Sequence, residues 1–159
     1  LPVPGRPGPV GDALPATISI KVEDQFGNGV SETTVSFAVG TGGGSVSHEA
    51  SVSDAAGLAG TDWTMGTVLG SNTLDVSAVG LAAIEVVATA TPDPPSKIAL
   101  VSGDGQSGEV GLPLPEALVV ELRDRFDNLT LGASVTFEGD GSSDAASATA
   151  NESGQASAT

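Results

Sequence analysis

Apolar and polar residues alternate along much of this chain with a period of two. Ile18, Ile20 and Val22 fall on one side of an extended segment and Ser19, Lys21 and Glu23 on the other, the pattern of a half-buried antiparallel strand. The polar run Asp24-Gln25-Phe26-Gly27-Asn28-Gly29 predicts a hairpin turn in which Asn-Gly takes positive φ. A second strand follows, with Val35, Phe37 and Val39 inward and Ser36 and Ala38 outward. Gly42-Gly43-Gly44 breaks the chain, Ser45-Val46-Ser47 makes a short strand, and Asp54-Ala55-Ala56-Gly57 turns it again. Ala59 to Met65 reads as one strand carrying Trp63. Leu74, Val76 and Ala78 are the inward row of the next, and Ile84, Val86, Ala88 and Ala90 the last inward row before Pro92.

The same pattern is written twice. Residues 10–40 lie without a gap over residues 110–140, with nine of 31 positions identical: Val10/Val110, Gly11/Gly111, Leu14/Leu114, Pro15/Pro115, Asp24/Asp124, Phe26/Phe126, Asn28/Asn128, Val35/Val135 and Phe37/Phe137. A period of about one hundred residues is that of a small domain and too long for a solenoid repeat. After a three-residue contraction, Gly154 falls opposite Gly57, and the second copy stops just before the counterpart of Trp63. The expected organisation is one domain over residues 1–93 and a second, C-terminally truncated, over 94–159, within a longer protein. Seven short strands with turns roughly 8 to 12 residues apart predict an all-β, Ig-like antiparallel β-sandwich in two tandem copies.

Composition agrees. The 22 glycines and 10 prolines leave no room for an amphipathic helix. Residues 1–9, with four prolines, read as a linker or an edge strand, and Thr91-Pro92-Asp93-Pro94-Pro95-Ser96 as a short, stiff join between copies. With only five aromatic residues, Trp63, Phe26, Phe37, Phe126 and Phe137, the cores rest on Val, Ile, Leu and Ala. A net charge of −15 argues against nucleic acid and anionic membrane surfaces, both of which call for cationic partners. Cysteine is absent, which removes disulfides, thiol nucleophiles and thiolate metal sites. No run of 18 apolar residues suggests membrane insertion, and no signal peptide is present.

Several strings together resemble the bacterial Ig-like domains of the invasin and intimin type, group 1. They are Gly105-Gln106-Ser107-Gly108-Glu109-Val110-Gly111 with Leu114-Pro115, Asp24-Gln25-Phe26-Gly27-Asn28-Gly29, Val35-Ser36-Phe37, Asp54-Ala55-Ala56-Gly57-Leu58-Ala59, Trp63-Thr64-Met65-Gly66, Gly70-Ser71-Asn72-Thr73-Leu74 and Val87-Ala88-Thr89-Ala90. The resemblance implies a tandem array on a secreted or cell-surface bacterial protein, in which most domains are spacers and particular terminal ones bind receptors. Copy two departs at Asp127 and Leu129, where copy one has Gly27 and Gly29, so a different turn type is expected there.

Candidate chemistry is sparse. Gly103-Asp104-Gly105-Gln106-Ser107-Gly108 fits G-x-G-x-x-G, but Pro113 and Pro115 forbid the helix a dinucleotide site needs. His48 is the only imidazole and lies in a Gly/Ser-rich loop, with no G-x-S-x-G elbow to serve, so no catalytic residue is assigned. Calcium, which takes about six to eight oxygen ligands, has candidate ligands in Asp93, Asp104 and Glu109 near the join and in Asp24, Asp124 and Asp127 at the hairpin tips. No EF-hand loop accompanies them. Asn128-Leu129-Thr130 and Asn151-Glu152-Ser153 match the glycosylation sequon by chance, and Trp63 and Phe37 fall in inward rows, as core residues and not a sugar platform. The expected function is a non-catalytic spacer module of an adhesin-like stalk whose partners are neighbouring Ig-like repeats. Its rivals are a domain binding a host protein or polysaccharide and an accessory domain of an extracellular hydrolase.

Overall fold

Alternation in the sequence becomes alternation in burial. In the computed structural model, which describes residues 6–139 and 146–158, β1 is Arg6–Pro9, β2 Ile18–Lys21, β3 Thr34–Val39, β4 Gly44–Val46, β5 Ala50–Val52, β6 Leu58–Thr61, β7 Trp63–Met65, β8 Gly70–Ala78 and β9 Ile84–Thr91. β10 is Lys97–Ser102, β11 Leu118–Arg123, β12 Ser134–Phe137, β13 Ala146–Thr149 and β14 Gln155–Ala158. No helix occurs among the described residues. The chain divides into two units, Leu1–Thr91 and Pro92–Thr159.

In the first unit a five-stranded sheet, ordered β1-β9-β8-β3-β5, is one layer, and the β2-β6 and β4-β7 ladders form the other. β1 runs parallel to β9, and the other pairings are antiparallel. The inward rows of the layers make one core: Val35, Phe37, Leu74, Val76, Val86, Ala88 and Ala90 from the large sheet, Ile18, Ala59, Trp63 and Met65 from the small ladders. At about 25 cal/mol per Å² of apolar surface, one large buried side chain contributes roughly 1.5–3 kcal/mol, so the single Trp63, fully buried, is a large part of a modest core. In the second unit β10-β11-β14 and β12-β13 form two sheets around Val120, Leu122, Val135, Ala150 and Ala156.

Three local expectations change. Ala59 to Met65 is two strands and not one: the chain steps at Asp62 from pairing with β2 to pairing with β4. Ile84 was placed in the inward row but is 48% exposed, because it starts β9 at the rim of the sandwich. A further strand, β5, pairs with β3 where the sequence read as loop.

Candidate functional site

Four tip loops share one construction. Asp24 Oδ1 accepts the amides of Phe26 at 2.8 Å and Asn28 at 2.9 Å, while Asn28 Nδ2 donates to Oδ2 at 3.0 Å. Asp124 Oδ1 accepts Phe126 N at 2.8 Å and Asn128 N at 2.9 Å, and Asn128 Nδ2 donates to Oδ2 at 3.0 Å. Asp54 Oδ1 takes Ala56 N at 2.8 Å and Leu58 N at 2.9 Å, and Asn151 Oδ1 takes Ser153 N at 2.8 Å and Gln155 N at 3.1 Å. A short acceptor side chain thus satisfies amides two and four residues on, the physical use of Asp and Asn in turns. The residue three past the acceptor carries the positive φ in each loop: Gly27 (84°), Gly57 (81°), Asp127 (68°) and Gly154 (68°).

This corrects two expectations. Positive φ falls on Gly27 and not on the Asn28-Gly29 pair. Gly29 is required by contact instead, since a Cβ there would sit 2.2 Å from Ala56 O. Nor do Asp127 and Leu129 change the turn, because aspartate tolerates the left-handed region and the hydrogen-bond scheme at Asp124 repeats that at Asp24.

The two equivalent aspartates differ in surroundings. Asp124 is fully buried, and its Oδ2 also accepts Asp93 N at 3.2 Å. The Asp93 carboxylate pairs with Arg125 Nε at 2.9 Å, and that guanidinium lies 4.7 Å from the centre of the Phe126 ring. Ser96 N donates to Arg123 O at 2.9 Å. The proline-rich segment is thereby fastened to the tip of its own unit. Burial is the largest influence on Asp124 and pushes its pKa upward. The Asn128 side chain and backbone, with the amides of Phe126 and Asp93, outweigh it and hold the pKa below the ordinary 3.8. Asp24 is exposed and is also held below 3.8, first by the Asn28 side chain.

The calcium candidates have other engagements. Both Asp124 oxygens face N–H donors, Asp93 faces Arg125, and Asp127 pairs with Lys97 Nζ. Asp104 and Glu109 are exposed on the segment after β10, and among the described residues no three His, Asp or Glu side chains gather as a metal site. That segment is stapled by Gln106, whose Nε2 donates to Gly103 O at 2.7 Å and Glu116 O at 2.9 Å, and it continues into a turn at Val110 instead of a helix.

His48 is exposed, with Nδ1 3.0 Å from Ser47 Oγ, and that hydroxyl accepts Asp62 N at 3.0 Å. The serine is a loop fastener. Trp63 is 0% and Phe37 2% exposed, so neither offers a face to a sugar. Both sequon asparagines hold tip loops. The sequence reading passed over Asn72, which is fully buried: its Oδ1 accepts Gly66 N at 3.2 Å, and its Nδ2 donates to Val68 O at 3.2 Å and Gly70 O at 3.3 Å. Its signal was a polar residue at the mouth of a strand among glycines.

Superposition on solved structures matches the D0-D1 domain of intimin with a TM-score of 0.50 at 14% identity, over 98% of this chain and 81% of that one. The fold is the bacterial Ig-like fold of the invasin and intimin type. Two further structures resemble this Ig-like chain at TM-score 0.47 and 18% identity: invasin, a bacterial integrin-binding protein, over 96% of this chain and 31% of that one, and the Yersinia pseudotuberculosis adhesin InvE, over 96% and 47%. No protein-family model and no curated protein matches the Ig-like chain.

Proposed function

We propose that the chain is a non-catalytic spacer module of a bacterial surface or secreted protein, part of an adhesin-like stalk whose immediate partners are neighbouring Ig-like repeats. The observation that carries this reading is the fastening of residues 92–96. A stiff, proline-rich join tied to a buried carboxylate suits a module that transmits position and does no chemistry. The intimin-like fold supports an adhesin-type setting. Binding of a host protein or polysaccharide takes second place, because of the five aromatic rings Trp63 and Phe37 are core and Phe26, 79% exposed, stands alone on its tip. Small-angle scattering of the chain tests the proposal: an elongated particle that stays elongated as salt screens the −15 charge is expected, and a folded-back particle would overturn it.

A further inference from the structure

The internal repeat lets one unit report what the other lacks. β11 is a central strand, paired with β10 on one side and β14 on the other. Its counterpart at an offset of one hundred residues, β2, pairs with β6, the counterpart of β14, and among the described residues its other edge has no strand. An unpaired edge presents a row of backbone donors and acceptors ready to accept an extended chain.

Two features flank that edge. Beside β2 a groove of about 280 Å³ opens between the layers, lined by Ile20, Val22, Val35, Val76, Leu81 and Ile84. Leu81 and Ile84 are 53% and 48% exposed along it. In the second unit the counterparts of Val22 and Val35, Leu122 and Val135, have Ile98 of β10 beside them, with Ile98 in register with Leu122. At the end of the edge stands Asp24, exposed, whereas Asp124 is buried and receives the Asp93 amide. Phe26 is 79% exposed, whereas Phe126 is half-buried under the Arg125 guanidinium.

We propose that the open edge of β2 is a strand-docking site, and that its occupant is the proline-led linker strand of a neighbouring Ig-like repeat, with the chemistry of residues 93–102. The docked strand runs antiparallel to β2, places alternate apolar side chains over the groove, and gives a backbone amide to Asp24 Oδ2 as Asp93 gives one to Asp124. Charge favours the match. Lys97 stands in register with Arg123, and the residue in place of Arg123 on the β2 side is Glu23, so a lysine of the docked strand meets a carboxylate there. The inference deepens the spacer reading, on whose tandem arrangement it rests, by naming the segment that enters the next repeat.

The test copies residues 92–105 in place of residues 1–5, directly ahead of Arg6, in the otherwise unaltered chain. A control carries serine at the two positions copied from Ile98 and Leu100. Amide exchange at residues 18–22 is expected to slow at least about tenfold in the copy relative to the control, with the Phe26 resonances shifting. Equal exchange in the two overturns the proposal. So does exchange at residues 18–22 that slows in the unaltered chain as its concentration rises, which would make a second copy of the chain the occupant. If the copied variant does not fold, a synthetic peptide of residues 92–102 titrated into the unaltered chain must shift the β2 amides, and no shift at saturating peptide overturns it equally. Because the readout is local, it fails or succeeds independently of whether scattering finds the chain elongated.

Discussion

Gly29 and Gly57 meet backbone to backbone: a Cβ on Gly57 would lie 2.9 Å from Gly29 Cα and 2.4 Å from Val22 O. Two tip loops of the first unit cross there, and Val22 N donates to Gly57 O at 2.8 Å in the crossing. Gly57→Ala therefore adds a steric clash to the left-handed φ of 81° and is expected to cost about 2–4 kcal/mol in urea unfolding. Gly27→Ala has a φ of 84° but nothing within 4 Å of the new Cβ, so it should cost only about 1–2 kcal/mol. Gly27→Asp, the residue used at 127, should cost less still. Equal costs for the two alanines would refute the crossing as the reason for Gly57.

Asp24 and Asp124 make stability depend on acid. Each folded pKa is lowered from 3.8, so each contributes stability that is complete well above 3.8 and is lost as pH falls through the folded value. Unfolding midpoints measured from pH 7 downward should show this contribution disappearing below about pH 4. In Asp124→Asn the loss with acid should be shallower, and stability at neutral pH lower by about 1–3 kcal/mol, because an amide nitrogen cannot accept from Asn128 and Asp93. An acid limb identical to that of the unaltered chain would show that Asp124 is not the group responsible.

Asn72 replaces three missing backbone partners with one side chain. Asn72→Ala leaves the Gly66 amide and the Val68 and Gly70 carbonyls without it, a loss of about 1–3 kcal/mol in denaturant unfolding. Asn72→Asp should be at least as damaging, since a carboxylate cannot donate to the two carbonyls.

Excess calcium is expected to leave the melting temperature where EDTA leaves it. Asp124 accepts N–H donors on both oxygens and Asp93 holds Arg125, so a cation would have to displace bonds already made. A calcium-dependent rise would mean that the carboxylates rearrange into a site.

The period-two rows made the sandwich legible, since burial at Val35, Phe37, Leu74 and Val76 follows from alternation alone. Equivalence between copies survived in the tips because an acceptor at one position and a left-handed residue three later are demanded by the backbone, whichever side chains follow. The break at Asp62 was not legible, because Thr61 and Trp63 are both buried and an unbroken apolar pattern conceals a change of partner. Nor was the burial of Asp124. Identical residues in identical turns differ there through a segment 31 residues away in sequence, a long-range contact that no local pattern encodes.

The parallel pairing of β1 with β9 puts the first and last strands of the first unit side by side, with Arg6 opposite Ala88 and Pro9 opposite Thr91. Tension applied between the two ends of this unit would slide these strands past each other lengthwise, so Val10 N to Thr91 O and its neighbouring bonds would be strained together instead of peeling one by one. Such a geometry resists rupture by shear, which is what a tether exposed to flow demands.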